Sequence, residues 1–276
     1  MKLIMVSRLI RQNIAIISFV GGFGNNLFQI AAAHVMEQRG FTVRFEVSNV
    51  KRKRLEILEI PEISNFVRPK ILRLSRYFPS IIGKRGKFTR FFMKKVLRIQ
   101  PWIDLNSNGD LPAQLGQNYL ITGYWQRLSI AENLPASHYF KIDTVGRKVA
   151  VHVRRGDMYS NIQNPMDDYF RNCVKTILKD NLDSNFNFFV YTDDPVYCLN
   201  HLDLGVEFEV VLRGSTLEDF VGLIEAEYLV MSRSTYSWWA GFFSNGQVFA
   251  PSPWENSQVE SVQLSCPEDW IKISCR

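Results

Sequence analysis

From Val149 to Asp157 the chain reads Val-Ala-Val-His-Val-Arg-Arg-Gly-Asp. A short apolar run carries one histidine and stops on two arginines, a glycine and an aspartate. That is the pattern of a buried strand with a polar cluster at its carboxyl end. In open α/β sheets, ligands bind outside the carboxyl ends of the strands. Two guanidiniums there match a phosphate or carboxylate bidentately. A salt-bridged turn is the alternative, and this stretch alone does not separate the two.

The surrounding sequence alternates. Strands are expected at Lys148–Val153, Asn187–Thr192, Val206–Val211, Tyr228–Met231 and Val248–Ala250. Helices are expected at Asp167–Asp180, Thr216–Ala226 and from Trp238 to Phe243. This β–α–β–α order implies a parallel sheet covered by helices on both faces. The first half begins in the same way. Ile14–Val20 is a buried-strand pattern that runs into Gly21-Gly22-Phe23-Gly24-Asn25-Asn26 and then into a helix-like Leu27–Arg39 stopped by Gly40. Phe41–Glu46 reads as a strand, Tyr119–Gln126 as a strand ending in an aromatic loop, and Leu128–Leu134 as a short helix or connector. The boundary falls near Asp143–Lys148, giving domains 1–145 and 146–276. The fold class expected is α/β, with two such domains facing each other across a cleft.

Charge divides the same way. Residues 1–140 hold 21 Lys and Arg against 8 Asp and Glu, whereas residues 141–276 hold 12 against 19. Most of the basic excess lies between Arg68 and Arg98, which carries eleven basic and no acidic residues. Tyr77, Phe78, Phe88, Phe91 and Phe92 are interleaved with them. An anionic membrane surface, a nucleic acid and a solvated helix face all fit that pattern. Met1–Val20 is too interrupted by Arg8, Arg11, Gln12 and Asn13 for a membrane span and lacks a clean cleavage site. The four cysteines show no zinc spacing. They read as reduced thiols in a cytosolic protein, with a Cys266–Cys275 bridge as the alternative.

Four polar clusters fall where strands or turns end: Gly22–Asn26, His152–Asp157, Thr192–Asp194 and Ser232–Ser237. The first has neither the G-x-G-x-x-G nor the P-loop spacing. A tight turn needing φ > 0 is its structural alternative. The last offers hydroxyls and amides at a helix start, which favours an anion, with plain N-capping by Ser234 or Ser237 as its alternative. Together with Arg154 and Arg155 it suggests a diphosphate held without a metal. No carboxylate triplet, His pair or Cys cluster suggests a metal centre, and no Gly-x-Ser-x-Gly elbow suggests a hydrolase.

Five of these pieces, in order, resemble the α-1,2-fucosyltransferase family (glycosyltransferase family 11). They are Gly21-Gly-Phe-Gly-Asn-Asn-Leu-Phe-Gln29, Gly123-Tyr-Trp-Gln126, His152-Val-Arg-Arg-Gly-Asp-Met158, Thr192-Asp-Asp194 and Ser232-Arg-Ser-Thr-Tyr-Ser-Trp-Trp239. The chain departs from the family pattern at Asn26 (usually Gln), Trp125 (Phe), Met158 (Tyr) and Arg233 (Asn). The resemblance implies a GT-B architecture of two Rossmann-like domains, GDP-fucose as donor, inversion at the anomeric carbon and no cofactor or metal.

It also implies roles for residues. Arg154 grips the pyrophosphate, with His152 and Arg155 beside it. Asn25 lies near the departing oxygen, within a donor-binding turn of Gly22, Phe23, Gly24 and Asn26. Asp194 lies near the nucleoside, and Ser234, Thr235, Tyr236 and Ser237 near the phosphates. Asp157 is the motif's carboxylate, either base or brace for the arginines, with the brace favoured. Tyr124, Trp125 and Gln126 fall on the acceptor side.

The acceptor expected is a galactose-containing oligosaccharide, lipid-linked in one form. In that case the basic stretch docks the protein on the cytoplasmic face of a membrane. Rival readings are an inverting transferase for another nucleotide-sugar, a nucleic-acid binder and a non-catalytic glycan binder. The motif set speaks against nucleic acid.

Overall fold

A computed structural model describes residues 13–47, 56–72, 99–104, 110–135, 140, 142–155, 166–181, 185–212, 214–252 and 265–275. It falls into two compact units, Met1–Pro135 and Ala136–Arg276. The division precedes the expected 145/146, and two residues between the two boundaries contact the second unit. Phe140 meets Phe220 and Phe243, and Val145 already pairs with Ala226.

The first unit is a four-stranded parallel sheet of β1 (Ile14–Ser18), β2 (Thr42–Glu46), β3 (Ile99–Asp104) and β4 (Asn118–Gly123), in the order β2-β1-β4-β3. Every residue of β1 is buried, as expected for a central strand covered on both faces. Helix α1 (Phe23–Gln38) packs Leu27, Phe28, Ile30, Ala31 and Met36 into the core. It ends before Gly40, whose φ of 85° only glycine adopts readily. Helix α2 (Pro61–Val67) and the short α3 (Leu128–Ala131) are the unit's other α-helices among the described residues. The strand at Ile99–Asp104 was not legible in the sequence. It is a sheet edge with exposed Trp102 and Ile103 and lacks the apolar run of a buried strand.

The second unit is a six-stranded parallel sheet, ordered β10-β9-β8-β5-β6-β7. Its elements are β5 (Val145–Val153), α4 (Asp167–Asp180), β6 (Asn187–Thr192), α5 (Pro195–His201), β7 (Glu209–Val210), α6 (Thr216–Ile224), β8 (Ala226–Val230), α7 (Thr235–Phe243), β9 (Gln247–Ser252) and β10 (Ile271–Ser274). Helix α4 buries Tyr169, Phe170, Cys173, Val174 and Ile177 against β5 and β6. The expected strand 206–211 contracts to two edge residues. The expected helix to Ala226 stops at Ile224, and Ala226 opens the next strand. Helix α6 starts where local chemistry dictates: Ser215 and Glu218 form a reciprocal capping box. Both sheets are parallel, and helices join β1 to β2, β5 to β6, β6 to β7, β7 to β8 and β8 to β9, so each unit is Rossmann-like and the fold class is α/β.

The strand orders locate one switch point per sheet. The chain leaves β1 for β2 on one side and places β4 on the other. It leaves β5 for β6 and β7 and returns to place β8 on β5's free side. Crevices form where strand order reverses. The carboxyl ends of β1 with β4, and of β5 with β8, are therefore where ligands are expected.

No helix among the described residues is long and apolar enough to cross a membrane. Of the basic stretch, residues 73–98 lie outside the described part. Its first members are locally engaged: Lys70 pairs with Glu37 at 2.6 Å and sits over the Phe66 ring, and Arg68 donates to Ser64. The four cysteines are free thiols.

Candidate active site

At the second switch point β5 ends on His152 and Val153, and the chain continues directly into Arg154 and Arg155. The two arginines are placed differently. Arg154 reaches the surface, with 39% of its side chain exposed, and its Nη1 meets Asp193 Oδ2 at 2.8 Å. Asp193 does more, since its Oδ1 accepts the Arg155 N–H at 2.8 Å. One carboxylate thus ties the guanidinium and the backbone of the loop to the end of β6. The expectation that Asp157 braces the arginines concerns a residue outside the described part. Among the described residues, Asp193 and Asp194 brace the two arginines, and the adjacent Asp-Asp pair was their sequence signal.

Arg155 is placed differently from Arg154. It is buried, its Nε donates to Asp194 Oδ2 at 3.3 Å, and its guanidinium carbon lies 3.4 Å from the Tyr197 ring centre. Tyr197 is held in turn by Asp167 at 2.5 Å. Asp194 also caps α5, accepting the Tyr197 N–H at 3.1 Å, with Pro195 at the first helical position. Arg155 and Asp194 therefore form a packed brace behind Arg154.

His152 joins the two strands of the switch point. Its Nδ1 shares a 2.7 Å hydrogen bond with Ser232 Oγ, just past β8, and its ring lies 5.4 Å from that of Tyr236. Burial pushes its pKa down to about 3, and Arg154 adds to that while Asp193 opposes it. The imidazole is neutral at physiological pH. Between pH 6.5 and about 3, the unfolded chain binds a proton that the folded histidine refuses. Stability is therefore lost as pH falls through that window and is full above it. We expect the melting temperature of His152→Gln to fall less than that of the wild type from pH 7 to pH 5. Equal slopes in the two proteins would contradict this.

Helix α7 starts three residues earlier than expected, at Thr235. Ser234 is its N-cap, accepting the Tyr236 N–H at 3.2 Å. Ser237 is wholly buried and donates to the carbonyls of Ser232 and Ser234. Tyr236 donates to Thr216 O at 2.5 Å and packs its ring, tilted, against that of Phe220. Ser237 and Tyr236 thus shape the loop, while Ser234 and Thr235 stand half-buried at the positive end of the helix. Arg233 turns toward the ends of β9 and β10, its Nη2 meeting Cys275 Sγ at 2.7 Å. The packed rings of Trp238, Trp239, Phe242 and Phe243 anchor the helix.

At the first switch point, α1 begins at Phe23, so Asn25 and Asn26 belong to its first turn rather than to the glycine loop. Phe23, Gly24 and Asn26 are buried. Asn26 Nδ2 donates to Gln29 Oε1 and Val20 O, and Gln29 Nε2 donates to Val20 O and Gly123 O at 3.1 and 2.9 Å. Asn26 is thus a structural tie, and Gln29, which sequence reasoning did not single out, joins the loops after β1 and β4. Its signal was the Asn26/Gln29 spacing of one helical turn. Asn25 stays half-buried and accepts from Gln126 Nε2 at 2.8 Å. Gly22 has open space where a side chain would start. Trp125 is entirely buried, so of the three acceptor candidates only Tyr124 and Gln126 reach the surface. Among the described residues no cluster of His, Cys, Asp and Glu has the makings of a metal site.

Two parallel Rossmann-like sheets with polar residues gathered at each switch point define a protein of the α/β GT-B class. The chain belongs to glycosyl transferase family 11, whose model matches residues 127–274. This bears out the resemblance read from the motifs and makes the protein a glycosyltransferase. The match includes the arginine, Asp-Asp and serine-rich motifs. The Gly21–Gln29 and Gly123–Gln126 motifs precede it. An α-1,2-colitosyltransferase of Escherichia coli is 25% identical over 308 aligned residues, which span 95% of this chain and 99% of that one. Among solved structures, a mutant of Arabidopsis thaliana FUT1 in complex with GDP has the same fold. The TM-score is 0.51 at 12% identity, over 94% of this chain and 76% of that one.

Proposed function

We propose that this chain transfers L-fucose from GDP-fucose to a galactoside hydroxyl in α-1,2 linkage, inverting the anomeric carbon. The acceptor is a surface glycan or its lipid-linked precursor. The observation that carries the reading is Arg154, held by Asp193 at the switch point and still exposed. On the neighbouring strand, α7 turns its positive end toward the same sheet edge. In the transfer the C1–O bond to the β-phosphate breaks while the acceptor oxygen bonds C1 from the opposite face. The electron pair leaves with GDP, and the acceptor proton passes late to solvent or a nearby carboxylate. Arg154 and the Ser234–Thr235 helix start balance the charge growing on the β-phosphate. Asn25, in the family's Gly-rich motif, also takes part in the transfer step. With a guanidinium and a helix terminus in that role, the reaction needs no divalent cation.

A second donor follows from the named relative. Colitose is fucose without its 3-hydroxyl, so GDP-colitose presents the same nucleotide and the same reacting carbon.

Thermal shift with GDP, UDP and CMP, with and without EDTA, tests the nucleotide side. A ligand at 100 times its Kd stabilises by about 2.7 kcal/mol. GDP alone should raise the melting temperature, and EDTA should not remove the effect. An equal shift with UDP would point to another donor, and loss in EDTA to a metal.

A further inference from the structure

The carboxamide of Asn25 is held from two sides. Its Oδ1 accepts from Gln126 Nε2 at 2.8 Å. Its Nδ2 lies against the α-carbon of Gly21, where any side-chain carbon would collide with it. Gly21 also has a φ of 79°, so both conformation and contact demand glycine there. In the first turn of α1, Phe23, Gly24, Asn26 and Leu27 are buried and Asn25 is the one side chain that reaches the surface.

The holding arm comes from the other side of the switch point. Trp125, just after β4, has a φ of 45°, a left-handed conformation that is strained for an aromatic residue. Complete burial of its ring keeps it there, and the Arg127 N–H closes the kink on Trp125 O at 2.8 Å. The kink points the next side chain, Gln126, back at α1. Gln29 fixes the spacing of the two loops through Val20 O and Gly123 O.

We propose that Gln126 is a positioning residue for the transfer step. By donating to Asn25 Oδ1 it stops the carboxamide from turning over, which keeps the Nδ2 donors on the Gly21–Gly22 side. A phosphate or sugar oxygen reaching that side meets N–H groups. With the amide reversed it would meet a carbonyl oxygen and be repelled. The proposal rests on the reading above, in which Asn25 takes part in transfer.

Gln126→Glu is the most informative variant. It is isosteric, but its carboxylate only accepts, so Asn25 must turn its Nδ2 toward it. Misplacing a reacting group by about 1 Å costs about 100-fold in rate. We therefore expect kcat to fall about 10- to 100-fold, with KM for donor and acceptor within about threefold. Gln126→Leu should do the same. In an Asn25→Ala background, under single-turnover conditions, Gln126→Glu should change the rate less than about twofold, because its effect runs through Asn25.

Wild-type kcat in a stably folded Gln126→Glu would overturn the proposal, as would independent, multiplying effects in the double variant. Full activity in Asn25→Ala would instead overturn the role given to Asn25. A wild-type protein inactive with both GDP-fucose and GDP-colitose would overturn the functional reading and, with it, this one.

Discussion

Arg154→Ala should lose about 100- to 1000-fold in transfer rate, the usual cost of removing one donor aimed at developing charge, while melting close to the wild type. The side chain is more than a third exposed and pairs with Asp193. Exposed ion pairs contribute little to folding. Asp193 keeps its hydrogen bond from the Arg155 N–H, so the loop should hold its shape. Lysine at 154 should restore only part of the rate, since a point charge replaces a planar fork. A folded Arg154→Ala with near wild-type turnover would remove Arg154 from the chemistry. Arg155→Ala should behave differently. That side chain is buried against Tyr197 and Asp194, and its loss should appear in stability as well as activity.

Trp125→Ala should strongly destabilise the first unit. The ring is fully buried, and large-to-alanine changes of this kind cost about 3–5 kcal/mol. At about 2–4 °C per kcal/mol, the melting temperature should fall by on the order of 10 °C. Activity should fall too, because the kink that aims Gln126 depends on the anchored ring. Trp125→Phe, which keeps most of the buried volume, should retain most of both. A Trp125→Ala protein melting within about 2 °C of the wild type would show that the ring does not hold the kink.

The second sheet was largely legible in the sequence, because its strands are central and buried. Lys148–Val153, Asn187–Thr192 and Tyr228–Met231 are short apolar runs, and their order gave the parallel topology. Elements at the edges were not legible. Ile99–Asp104 and Ile271–Ser274 carry too few buried side chains to leave a pattern, and α5 is announced only by Asp194-Pro195.

The site was legible in its chemistry and not in its geometry. Adjacent motif residues separate by role once their partners past the end of β5 are known: Arg154 reaches out and Arg155 packs inward. Tyr124, Trp125 and Gln126 divide in the same way, with tryptophan becoming core. The start of α1 at Phe23 moved Asn25 and Asn26 from a loop into a helical turn, so one faces out and the other ties the loops together. Spacing along the chain does not carry that information, because it depends on where the first backbone hydrogen bond forms. Here that bond is Asn26 N–H to Gly22 O.

The most direct test is transfer itself. The purified protein is incubated with GDP-fucose or GDP-colitose and a panel of β-galactosides, and the product is analysed by NMR. The account predicts a single new α-linked sugar on the galactose 2-hydroxyl, formed equally well in EDTA. A product of retained configuration, or no product with either donor across the panel, would contradict it.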